Sequence, residues 1–114
     1  MFRYSEEDGA YLAKRNGIEF VCEEPSGELE KLARELADCY EDRLPEIAAY
    51  ILPGLEGLFG GLTAEELASA LGTPQIDLDA SVITYLEQTL DESHIFVLEF
   101  DGALEIFLEF TMDG

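Results

Sequence analysis

"TLDESHIFVLEFDGALEIFLEF", residues 89–110, holds two alternating runs rich in Ile, Val, Leu and Phe around an Asp-Gly step. That pattern is a β-hairpin, because strands bury every second side chain and Asp-Gly suits a two-residue turn. A turn at Asp101 and Gly102 pairs Phe100 with Ala103. The same register sets Leu98 against Glu105, Phe96 against Phe107 and His94 against Glu109. The face with Ile95, Val97, Leu104, Ile106, Leu108 and Phe110 is then the expected core. His94, the single histidine of the chain, falls at the polar end of the other face with Glu109 as its cross-strand carboxylate.

Working outward, "QIDLD" (75–79) and "SVITYLEQT" (81–89) extend the same pattern upstream, so everything after Thr73 reads as a C-terminal meander. Before it, Thr63 and Glu66 form a capping box for a short helix stopped by Gly72. Residues 26–43 place Leu29, Leu32, Ala33, Leu36 and Tyr40 at helical spacing. Pro45 suits a first helical turn better than a helix interior, so a second helix is expected over 45–52, ended by Pro53. The glycine-rich stretch 53–62 reads as a loop. Near the N-terminus, Ser5 followed by three acids and then "KRNG" predicts a helix over 6–15. "IEFVCE" (18–23) alternates as a strand, and whether it joins the sheet is left open by the pattern. The expected architecture is a single α+β domain over 1–114: an antiparallel sheet of three to five strands with a C-terminal meander, helices packed on one face.

Charge narrows the function. The chain of 114 residues carries 26 acids against six Lys and Arg, a net −20. All six basic residues lie in the first 43 positions, where twelve acids leave −6; residues 44–114 carry fourteen acids and no Lys or Arg, which is −14. Such a surface repels phosphates, which argues against nucleic acid and an anionic membrane face and for a basic protein partner or self-association. Hydrophobic content of 47% is that of a folding chain. The longest apolar stretch, 44–62, is too interrupted by Glu, Pro and Gly to cross a bilayer. The acidic N-terminus lacks the features of a signal peptide, and Cys22 and Cys39 have no metal-like spacing, so reduced core thiols in a cytoplasm are expected.

Four sets of residues bear on chemistry. Ser93 and His94 are neighbours along a strand and point to opposite faces, so they make no nucleophile and base pair. Asp77 and Asp79 share a strand face and would begin a divalent-cation site with Asp91 or Glu92; the competing reading is a solvated, charged edge strand. His94 with Glu109 is a candidate polar cluster, with ordinary hydrogen-bonded packing as the alternative. Leu55, Leu58 and Phe59 would form a partner or homodimer patch if exposed, and would cap the core if buried. No phosphate-loop, calcium-loop or zinc pattern occurs, and no cofactor is implied.

Over residues 71–114, "LGTPQIDLD", "ITYLEQTLDESHI", "EFDG" and the terminal "MDG" resemble a family of small bacterial proteins catalogued as a domain of unknown function, number two thousand and four. The resemblance implies a small bacterial cytoplasmic protein with no established activity, and it assigns no catalytic residues. The functional expectation is therefore a non-enzymatic acidic interaction module, with an immunity-type inhibitor of a basic toxin as its specific form. The alternative is a small metal-dependent or carboxylate enzyme acting on a cationic or neutral small molecule.

Overall fold

The structure is a computed structural model and describes residues 1–113. Seven strands form one sheet in chain order: β1 (Arg3–Ser5), β2 (Ala10–Arg15), β3 (Ile18–Cys22), β4 (Gln75–Asp77), β5 (Val82–Tyr85), β6 (Ile95–Asp101) and β7 (Ile106–Asp113). Between β3 and β4 run two helices, α1 (Gly27–Leu55) and α2 (Ala64–Ala70). The class is α+β, as expected. The strand count is larger than three to five, and the sheet is not a simple meander. Its β3–β4 pair is parallel and needs the helical crossover that α1 and α2 supply.

The N-terminal helix expected over 6–15 is instead a hairpin. The helix-start residues are used in a turn: the Ser5 hydroxyl donates to Asp8 at 2.8 Å, the Gly9 amide donates to the Ser5 carbonyl, and Gly9 has φ +64°. The presumed helix end is the second turn, with Asn16 and Gly17 at φ +53° and +79°. Asn-Gly with two left-handed residues closes a two-residue hairpin as readily as it caps a helix. Strand β3 lies inside the sheet between β2 and β4.

The break expected at Pro45 is also absent, and α1 runs 29 residues through Pro45 and Pro53. Its N-terminus is capped by the Ser26 hydroxyl, which accepts from the Leu29 amide at 3.1 Å. An interior proline costs about 3 kcal/mol. The apolar stripe nevertheless continues in phase beyond it, with Ile47, Ala48, Ile51 and Leu55 all fully buried. Each buried Ile or Leu contributes about 1.5–3 kcal/mol, so the packed face outweighs the local penalty. The capping box of α2 is present as expected, with Glu66 accepting from the Thr63 amide and Thr63 from the Glu66 amide.

The core lies on one face of the sheet, where Phe20, Ile76, Ile83, Tyr85, Phe96 and Leu98 meet the buried stripe of α1. This overturns the hairpin register read from Asp101-Gly102. The connection from β6 to β7 spans 102–105, with Gly102 at φ +63° and Leu104 at φ +61°, and Leu104 is fully buried. Arg43 fixes it by donating from Nε (2.9 Å) and Nη2 (2.6 Å) to the Leu104 carbonyl. A bulge follows, so that Phe100 faces Phe107 while Glu99 faces Glu109 and Leu98 faces Phe110. The core side therefore bears Phe96, Leu98 and Phe100. Ile95 and Val97 are only half-buried, and Ile106 and Leu108 are exposed.

Candidate functional site

His94 sits just before β6 and takes part in a closed polar loop formed by residues 88–94. Asp91 begins it as the acceptor of a tight turn: its Oδ1 accepts from the amides of Ser93 (3.2 Å) and His94 (3.1 Å). Its Oδ2 lies 2.6 Å from His94 Nδ1. Behind it, Gln88 is only 7% exposed and spends both ends of its amide on the loop. Its nitrogen donates to the Asp91 carbonyl, the Asp91 carboxylate and the His94 carbonyl, and its oxygen accepts from the Leu90 and Asp91 amides. Hydrogen bonds from Gln88 first, then from His94 and Ser93, hold the Asp91 carboxyl down to about 2.

Chemically, this arrangement is an imidazole oriented by a carboxylate, two parts of a nucleophilic triad. Among the described residues no hydroxyl or thiol hydrogen-bonds to the His94 ring. The expected partner Glu109 is elsewhere: it faces Glu99 across β6 and β7, so the His94 and Glu109 cluster is not formed. The register error moved His94 to the wrong neighbour, although Asp91 stood three residues before it in the sequence. An acid followed within three residues by backbone amides that need an acceptor is a recognisable turn signal. Gln88 carries no such mark.

Asp77 and Asp79 also serve the backbone. Asp77 Oδ1 accepts from the amides of Asp79 (2.9 Å) and Ala80 (3.1 Å), and Asp79 Oδ2 accepts from the Glu23 amide (2.8 Å). Strand β4 is interior rather than an edge, which corrects the charged-edge reading. Together with Asp8, Cys22 and Glu23 the two aspartates line an open concavity. Among the described residues no three His, Cys, Asp or Glu side chains converge as a metal-ligand set. Asp91, proposed as a third ligand, is committed to its own loop.

The apolar triad is divided. Leu55 is fully buried at the end of α1, Phe59 packs partly against the core, and Leu58 is 55% exposed. The 53–62 segment is thus half helix end and half turn, anchored by the Phe59 amide donating to the Leu55 carbonyl at 2.8 Å. Cys22 and Cys39 are free thiols, and burial raises both above the ordinary thiol range. The neutral form is therefore favoured, which suits packing better than nucleophilic use. In the core, the hydroxyls of Tyr40 and Tyr85 meet at 2.6 Å, and burial pushes Tyr40 up to about 12. This pair joins α1 to β5 and faces no opening in the site above.

The fold converts the charge asymmetry of the sequence into geography. Lys and Arg lie on β1, β2 and α1 as far as Arg43, whereas β4 to β7 carry none. On the last two strands and their connection stand Glu99, Asp101, Glu105, Glu109 and Asp113. Arg43 is the basic group that reaches them, and it is paired with Glu46 and bound to the Leu104 carbonyl. No helix is long and apolar enough to cross a membrane among the described residues. Comparison with protein-family models, curated proteins and solved structures finds no match, so the site is read from its own geometry.

Proposed function

We propose that the chain is a non-enzymatic acidic interaction module that binds a basic protein in a bacterial cytoplasm. The observation that carries this reading is that Glu99, Asp101, Glu109 and Asp113 on β6 and β7 have no Lys or Arg paired with them among the described residues, at the end of the sheet farthest in strand order from the basic β1 and β2. Acidic fields of this kind steer basic partners and discourage nucleic acid. An immunity-type inhibitor, whose acidic face fills the phosphate-binding cleft of a basic toxin such as a nuclease, is the specific form that this chemistry fits. The test is retention of host proteins on the immobilised chain at low salt, followed by reassembly from purified components. A basic protein that re-forms a stoichiometric complex, with affinity falling as salt rises, is the expected result. Failure of every retained protein to reassemble would overturn the reading.

A second reading, a small metal-dependent or carboxylate enzyme acting on a cationic or neutral small molecule, has the Asp91–His94 pair in its favour. It requires the His94 ring to meet a substrate. Ring-proton shifts of His94 in NMR on addition of small cationic metabolites would support it, and an unmoved ring would remove it.

A further inference from the structure

Strand β7 is the last of the sheet in spatial order and pairs only with β6, so one side of its eight residues is unpaired among the described residues. The opposite edge, β1, is three residues long. Proteins blunt sheet edges by shortening them, by bulges and by charged side chains or Pro. Strand β1 is short, whereas β7 is eight residues long without Lys or Pro, and its bulge and its acids Glu109 and Asp113 disfavour pairing with another acidic strand more than with a basic one. At about 3.4 Å per residue β7 offers some 27 Å of backbone.

The edge carries exposed apolar side chains beside its acids and is held in place. On one face Ile106 and Leu108 are each 55% exposed. On the other, Phe107 stacks against the half-exposed Tyr50 of α1 with ring centroids 5.4 Å apart. Helix α1 approaches so closely at Gly54 that a Cβ there would sit 2.9 Å from the Phe110 ring. The strand is therefore backed by a helix and needs no rearrangement to accept a neighbour. Around it stand Glu99, Asp101, Glu105, Glu109 and Asp113, and its nearest guanidinium, Arg43, is already bonded.

We infer that β7 is a docking edge for an extended basic segment of a partner protein, which adds to the sheet as an eighth strand. Main-chain hydrogen bonds would supply affinity, alternate apolar side chains would cover Ile106 and Leu108 or Tyr50 and Phe107, and Lys or Arg would meet the acids. A second copy of the chain fits less well, because it would bring another −20 and a second set of acids to the same edge. The inference rests on the acidic-module reading and assigns its surface.

The experiment uses the full chain and a synthetic peptide alternating Lys and Val over the length of β7. A matched peptide, N-methylated at every backbone nitrogen, keeps charge and side chains but has no amide to donate on either edge and so cannot pair. The expected result is that the first peptide protects β7 amides from hydrogen exchange and binds at least about tenfold tighter than the second, a difference of ~1.4 kcal/mol. The variant I106T/L108T, altered only at exposed positions, should weaken the first peptide while its circular dichroism stays unchanged. Equal binding of both peptides would overturn strand addition and leave the acidic-module reading standing. Absence of binding by either at low salt would overturn the docking edge, whereas the acidic-module reading falls only if no retained basic protein reassembles with the chain. Concentration-dependent dimerisation with β7 protection in the absence of peptide would give the edge to a second copy instead.

Discussion

Asp91 shows how one side chain can determine a loop. Its carboxylate accepts from two amides, from Gln88 and from the His94 ring, and these bonds stabilise the ionised form. Its folded value, about 2, lies below the ordinary carboxylate value of 3.8. A depressed carboxyl contributes stability that is present above the unfolded value and lost as pH falls through the folded one. Urea unfolding of the chain and of D91N, compared from neutral pH downward, should show a constant advantage for Asp91 above about pH 4. That advantage should shrink as the pH approaches 2. A difference independent of pH across this range would mean that the ionised state contributes nothing. His94 gains its fixed orientation from the same network, which closes the loop before β6.

At the scale of elements, the legible parts were those whose local signal had one meaning. The α2 capping box, the alternation of β3 and the apolar face of α1 up to Tyr40 each follow from spacing alone. The misread parts were signals with two meanings. Asn16-Gly17 serves as a helix cap or a hairpin turn, and only the pairing of β2 with β3 selects the latter. Asp101-Gly102 suggests a two-residue turn, yet burial of Leu104 and its capture by Arg43, 61 residues away in sequence, impose a longer connection. No local pattern contains that contact, and from it follow the register error, the exchanged sheet faces and the wrong partner for His94. Pro45 was misread because a local penalty was weighed without the burial that continues beyond it. This yields a prediction: Pro45→Ala should restore the amide that the helix lacks there and raise stability by about 1–3 kcal/mol in urea unfolding. A destabilised P45A would show that the exposed proline acts by stiffening the unfolded chain.

For the whole molecule, charge acts in two opposed ways. On the proposed reading it would steer a basic partner toward β7, and it strains the isolated fold, because twenty unbalanced negative charges share a body whose extents are 42 × 28 × 22 Å. Few of these charges have local relief: among the described residues the side-chain ion pairs are Lys31 with Glu35 and Arg43 with Glu46, and Asp91 hydrogen-bonds to the His94 ring. Exposed pairs contribute about 0–1 kcal/mol each, so self-repulsion dominates the electrostatics of the free chain. At 0.1 M salt the Debye length is roughly 10 Å, so repulsion between exposed acids farther apart than this is largely screened. Screening should therefore relieve the fold more than it weakens its pairs, and the melting temperature should rise between low and moderate sodium chloride. The same addition should loosen a basic partner, so stability and binding are expected to move in opposite directions with salt. A melting temperature that fell over this range would mean that the few ion pairs, and not the net charge, control the stability of the fold.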